Sequence, residues 1–94
     1  MKKFIILIPV YNDWKSVFKL LGEIDIEISQ LELEFSALII NDSSTEEMPK
    51  ITGNYKNFKS INLINMKKNQ GHARCNATGI KYLSDKQDFD YLIV

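Results

Sequence analysis

One cysteine, Cys75, is all that the 94-residue chain carries. That excludes an internal disulfide and a cysteine-rich metal site, and it fits a reducing compartment. Excess charge is missing too, since Lys plus Arg and Asp plus Glu number 12 each. The chain therefore lacks the surplus positive charge from which sequence-independent nucleic-acid binders draw affinity. The basic residues between Lys50 and Arg74 read as a solvated face. No apolar run approaches the ~20 residues that a bilayer-spanning helix needs. Lys2-Lys3 ahead of Phe4–Val10 has the outline of a signal peptide, but the run is short and Tyr11-Asn12-Asp13 interrupts it. No small-residue cleavage site follows. Without an export signal, the glycosylation sequons at Asn41-Asp42-Ser43 and Asn76-Ala77-Thr78 read as coincidence, and the expected location is the cytoplasm. There is no internal repeat, low-complexity segment or linker, so residues 1–94 make one small unit.

What is present is a core and a regular alternation of elements. Apolar residues make up 45% of the chain, enough for a packed interior. Phe4–Val10 is a continuous apolar run, the mark of a strand covered on both faces. From Asp13 onward the period changes: Trp14, Val17, Phe18, Leu21, Ile24 and Ile28 recur at helical spacing, with Asn12 or Asp13 placed to cap the start. Gly22 within that stretch costs about 1 kcal/mol against alanine, so packing must hold the helix. Phe35–Ile40 predicts a second strand, closed by the turn-rich Asn41-Asp42-Ser43-Ser44-Thr45. A short helix is expected near Thr45-Glu46-Glu47, with acids in its first turn. Ile61–Met66 predicts a third strand. Gly71–Leu83 predicts a second helix with Ala73, Ala77, Ile80 and Leu83 on one face, and Phe89–Val94 a fourth strand. Strand, helix, strand, strand, helix, strand is the pattern of an α/β parallel sheet. Pro9 is the local misfit, expected where ladder pairing on its side has ended. The apolar final strand, with no cover after it, leads us to expect the front part of a longer protein.

In open parallel sheets, ligands bind beyond the carboxyl ends of the strands. Tyr11, Asn12 and Asp13 follow the first strand, Asn41 to Ser44 the second, and Lys67 to Gly71 the third. All three groups would share one rim. Neither G-x-G-x-x-G nor G-x-x-x-x-G-K follows the first strand, so phosphates are not cradled at that turn. Tyr11 would offer a flat face to a base, and ionised Asp42 an acceptor for a ring N–H. Arg74, in the first turn of the second helix, would donate to a carbonyl or phosphate. Each also has a plain structural explanation. Tyr11 would be a packed ring with a wet hydroxyl, Asp42 a turn or cap residue, and Arg74 half of a surface ion pair. His72 reads as a solvent-facing residue near a helix start, Cys75 as a small core residue. Gly71 and Gly79 read as turn and helix–sheet contact residues.

Together, Ile8-Pro9-Val10-Tyr11-Asn12, Asn41-Asp42-Ser43-Ser44-Thr45 and Asn69-Gln70-Gly71-His72-Ala73-Arg74 resemble the inverting glycosyltransferases of family 2. The resemblance covers essentially the whole chain. It implies a Rossmann-like GT-A fold, a mainly parallel sheet flanked by helices and truncated here after its fourth strand. It also implies a nucleotide-sugar donor, UDP- or GDP-linked. Pro9, Val10 and Tyr11 would wall the base, Asp42 would accept the base N–H, and Arg74 would reach the nucleotide. Asp13 takes a place often held by glutamate, and Asn41 replaces the first acid of the family's Asp pair. The Gly-His-Ala-Arg form is similar to the branch that loads sugars onto polyprenyl phosphates, so the acceptor would be such a phosphate or a growing glycan. That branch would place the whole protein at the cytoplasmic face of a membrane.

The family's Asp-x-Asp motif, which holds Mg²⁺ or Mn²⁺, would fall beyond Val94, as would the general base. No catalytic or metal-binding residue is therefore assigned within the chain, which alone is expected to be inactive. An exposed strand edge would make it marginally stable or self-associating. An alternative is a non-catalytic flavodoxin-like binding or signalling module. A phospho-acceptor receiver of that kind would need an aspartate ending the third strand, where Asn65-Met66 stands instead. A nucleotidyltransferase would want a glycine- and basic-rich loop after the first strand, and none is present.

Overall fold

A computed structural model describes residues 1–50, 53–86 and 89–94. Strand β1 runs Lys2–Val10, helix α1 Trp14–Ile28, β2 Leu33–Asn41, β3 Phe58–Asn65, α2 His72–Lys86 and β4 Tyr91–Ile93. The strands form one sheet in the order β3-β2-β1-β4, and every pairing is parallel. Consecutive strands must therefore be joined by crossovers: α1 carries the chain from β1 to its neighbour β2, and α2 carries it from β3 at one edge to β4 at the other, beside β1.

The unbroken apolar run of β1 has a simple cause: both of its faces are covered. Ile6, Ile8 and Val10 join Ala37 and Ile39 beneath Trp14, Val17, Leu21 and Ile28 of α1. Ile5 and Leu7 join Leu38 and Ile40 on the opposite face, against Cys75 and Leu83 of α2. Period-two alternation sends successive side chains to opposite sides, so two cores require an apolar residue at nearly every position. The architecture is α/β and Rossmann-like, with two helices flanking a parallel sheet.

β1 pairs with β2 along its whole length, from Lys2↔Leu33 to Val10↔Asn41. With β4 it pairs only over Phe4–Ile6. This explains Pro9. The Val10 carbonyl accepts from Asp42 N–H on the β2 side at 2.8 Å. In a parallel ladder the preceding residue faces the other way, so the missing N–H of Pro9 points to the edge that β4 does not reach.

Three expectations need correction. No helix forms at Thr45-Glu46-Glu47, which is a bend followed by irregular chain. The Glu46 main chain is spent on tertiary partners instead: its N–H donates to Asn12 Oδ1 at 2.9 Å, and its carbonyl accepts from Trp14 Nε1 at 3.2 Å. Neither Asn12 nor Asp13 caps α1 through its side chain. Asp13 holds the N-cap position without a side-chain bond, while Asn12 is left-handed at φ 63 and turns its amide toward the 44–46 segment. The buried stripe of α2 is also rotated from the expected one. Cys75, Gly79 and Leu83, spaced four apart, face the sheet, whereas Ala73, Ala77 and Ile80 are exposed. A glycine carries no apolar signal, so the stripe it belongs to was invisible to periodicity. Its effect is steric: a Cβ at Gly79 would lie 2.5 Å from Leu7 Cδ1, so only glycine lets α2 sit this low on β1. The Cys75 and Gly79 expectations hold.

One buried acid went unforeseen. Asp25 on α1 is 7% exposed and accepts from the Asn57 N–H at 2.8 Å, while the Asn57 side chain donates to its carbonyl at 3.0 Å. These bonds pin the chain entering β3 to α1.

Candidate functional site

The carboxyl ends of β1, β2 and β3 are stitched into one rim. Met66 N–H donates to the Asn41 carbonyl at 2.8 Å, and the Asn41 amide donates to Asn65 Oδ1 at 2.9 Å. Ser44 N–H donates to Asn41 Oδ1 at 3.0 Å, and Asn12 N–H to Ser44 Oγ at 2.8 Å. The Asn12 amide also donates to Thr45 Oγ1 at 3.0 Å. Ser43 takes a left-handed conformation, φ 58, which lets the chain fold back over the strand tips. The polar residues after each strand thus bond one another, while Val10 is buried and Tyr11 is left exposed.

Pro9, Val10, Tyr11 and Asp13 line a cavity of about 380 Å³ together with Ser16, Val17, Leu20 and His72. Helices α1 and α2 lie on opposite faces of the sheet, so a cavity touching both must wrap the free edge of β1, beyond the reach of β4. Tyr11, one of the cavity's lining residues, is 43% exposed. Four of the six expected site residues are therefore brought together. His72, read from sequence as a solvent-facing residue, joins them; its place on the wall depends on where α2 starts relative to β1, which no local pattern encodes.

The other two lie elsewhere. Arg74 lines a separate depression of about 390 Å³ with Met66, Gln70, Ala77 and Thr78. Asp42 is 1% exposed and sits beneath the rim. Alternation along β2 puts it on the same face as Leu38 and Ile40, toward α2. There its carboxylate accepts from Gln70 N–H at 2.7 Å and Gly71 N–H at 2.9 Å. Burial by itself would raise the Asp42 carboxyl. The two amides, the Cys75 thiol and nearby His72 outweigh that and hold it below its ordinary value. Burial, the hydrogen bond to Asp42 and the charge of Asp42 push the Cys75 thiol up to about 11, so it stays protonated as a donor. Gly71, at φ +87, makes the left-handed turn that aims both amides at one side chain.

Among the described residues, no three His, Cys, Asp or Glu side chains converge as a metal centre requires. No helix among the described residues is long and apolar enough to cross a membrane.

The parallel sheet flanked by helices, with a cavity at the carboxyl end of β1, is a Rossmann-like α/β architecture, and that end is the rim at which open sheets of this kind usually bind ligands. The chain belongs to glycosyl transferase family 2, whose pattern it matches over residues 5–94. An uncharacterized protein of Methanocaldococcus jannaschii is 28% identical over 91 residues, covering 95% of this chain and 37% of that protein. An uncharacterized glycosyltransferase of Rickettsia bellii is 34% identical over 86 residues, covering 89% of this chain and 12% of that protein. The chain thus spans well under half the length of these relatives. No solved structure matches it.

Proposed function

We propose that the chain is the nucleotide-recognition part of an inverting, nucleotide-sugar-dependent glycosyltransferase. Family membership supports glycosyl transfer as the reaction class. The observation that carries the nucleotide reading is the cavity at the tip of β1, lined by the exposed Tyr11 together with Pro9 and Val10. A flat exposed ring beside an apolar wall suits the face of a base, and Asp13 offers an acceptor to a ribose hydroxyl. The donor would be UDP- or GDP-linked. Arg74, in its own depression on α2, would meet a charged group of the donor or of a polyprenyl-phosphate acceptor.

In the whole protein, the acceptor oxygen would displace the nucleoside diphosphate at the anomeric carbon in one step, with inversion. A divalent Mg or Mn ion, held by residues outside 1–94, would stabilise the leaving diphosphate. The reaction would take place on the cytoplasmic side of the membrane.

Calorimetric titration of the chain with UDP and GDP tests the reading. One of them should bind, and Tyr11→Ala should weaken it by ~1–3 kcal/mol, the range for base–aromatic stacking. Failure of both nucleotides to bind, or full affinity in Tyr11→Ala, would overturn it.

A further inference from the structure

We propose that Asn12 is a positioning residue: its side-chain amide, clamped to residues 44–46, holds a strained double turn that sets Tyr11 and Asp13 in the cavity wall while Asn12 stays outside it. This rests on the nucleotide reading above. Asp13 N–H donates to the Tyr11 carbonyl at 2.8 Å, and Trp14 N–H to the Asn12 carbonyl at 2.9 Å. Each bond closes over a single residue, so two γ-turns follow one another. The turn centred on Asn12, at φ 63, is the rare and strained kind; the turn centred on Asp13, at φ -84 and ψ 55, is the common inverse kind. Together they carry the chain from Val10 at the end of β1 to Trp14 at the start of α1. Tyr11 and Asp13 line the cavity, and Asn12 between them does not.

A strained backbone persists only where its surroundings over-determine it, and every polar group of Asn12 is engaged. Its N–H donates to Ser44 Oγ at 2.8 Å, and its amide donates to Thr45 Oγ1 at 3.0 Å. Its Oδ1 accepts from Glu46 N–H at 2.9 Å. Three successive residues of one segment thus close on one residue at the tip of β1. That segment is itself tied to regular structure. Ser44 N–H donates to Oδ1 of Asn41, the last residue of β2, at 3.0 Å. The Glu46 carbonyl accepts from Nε1 of the buried Trp14 at 3.2 Å. Asparagine suits the place for two reasons. It adopts a left-handed φ more readily than most residues with a side chain, and its amide donates with one atom and accepts with the other. The exposed Tyr11 ring gains little direction from packing, so the backbone beneath it has to supply that direction. A side chain already held in place loses less freedom when a ligand stacks on it.

A double-mutant cycle on nucleotide binding separates positioning from a general structural role. Asn12→Gly keeps the left-handed φ accessible and removes the clamp. Calorimetry compares it with wild type, Tyr11→Ala and the double variant, for whichever of UDP and GDP binds. Each single variant should weaken binding about tenfold. The double variant should be little weaker than either, because an unheld ring no longer contributes. Losses that multiply to about a hundredfold would show two independent effects and overturn the proposal, as would unchanged affinity in Asn12→Gly. Ser44→Ala combined with Thr45→Val keeps the test open should Asn12→Gly fold poorly. It strips two of the three bonds from residues outside the cavity wall, so binding should weaken several-fold, and full affinity would refute the clamp. Amide hydrogen exchange reads the double turn without ligand. In Asn12→Gly the Asp13 and Trp14 amides should exchange faster while the β1–β2 ladder stays protected, and unchanged exchange at both would overturn the holding role. Wild-type chain that binds neither UDP nor GDP would instead remove the nucleotide reading, and with it the role assigned to Asn12, whatever the exchange shows.

Discussion

Gly79→Ala is the sharpest test of how the sheet and α2 fit together. The new methyl would lie 2.5 Å from Leu7 Cδ1, 3.0 Å from Cδ2 and 3.3 Å from Cγ. Carbon atoms in good contact sit about 3.5–4.0 Å apart, so the closest of these approaches is at least 1 Å too near. Leu7 is 2% exposed and cannot swing into solvent. Relief requires an off-rotamer leucine or a raised helix, and overpacking of this kind costs ~1–3 kcal/mol. Taking the upper end and subtracting about 1 kcal/mol for the better helix propensity of alanine leaves a net loss of about 2 kcal/mol. Leu7→Ala alone should cost ~2–5 kcal/mol through its cavity. In that background the clash is gone, and Gly79→Ala should become stabilising by about 1 kcal/mol. The coupling between the two sites is then about 3 kcal/mol, the upper end of what touching residues show. Trp14, the single tryptophan and 3% exposed, reports unfolding in urea. Stabilisation by Gly79→Ala in the wild-type background, or additivity within ~0.5 kcal/mol, would refute the close-approach argument.

Two further outcomes follow from the rim. Asn12→Gly keeps the left-handed turn and loses only the bonds to Thr45 and Glu46, so about 1–2 kcal/mol should be lost. Asn12→Ala should cost about 1 kcal/mol more for its strained φ, and equal urea midpoints for the two variants would contradict this. Stability should also vary with pH at both ends. The folded-state carboxyl of Asp42 is held below its ordinary 3.8, so its contribution is complete above that value and drains away as pH falls through the lower folded value. The folded-state thiol of Cys75 is raised from 9.0 to about 11, so its contribution is complete below pH 9.0 and is lost as pH rises toward about 11. Urea midpoints across both limbs check this: Asp42→Asn should flatten the acid limb and Cys75→Ala the alkaline one.

Much of the site's address was legible in residue order. The Pro9-Val10-Tyr11-Asp13 group follows an apolar strand, and any parallel sheet delivers such residues to its carboxyl rim. Their shared cavity needed only the α/β alternation to be foreseen. Asp42 was harder, because a polar residue just past a strand reads equally as a ligand contact or a turn. What decided its place was the parity of β2, which sends it to the α2 face, together with the arrival of the Gln70 and Gly71 amides there. His72 and Arg74 stand two residues apart near one helix start, yet line different cavities. Helical rotation of roughly 200° over two residues separates them, and only the docking of α2 on β1 says which one faces Tyr11.

The sequence by itself determined the α/β order, the strand covered on two faces, the amphipathic α1 and the motif residues at three strand ends. These follow from local physics: period two, period 3.6, and proline and glycine as breakers. Tertiary structure alone decided the depth of α2 over Leu7, the bend in place of a helix after Thr45, and the burial of Asp42. Each depends on a partner distant in sequence: Gly79 against Leu7, Asn12 and Trp14 against Glu46, and two backbone amides against one carboxylate. A backbone N–H has no side-chain signature, so a site assembled from such donors becomes visible only when the chain has folded back on itself.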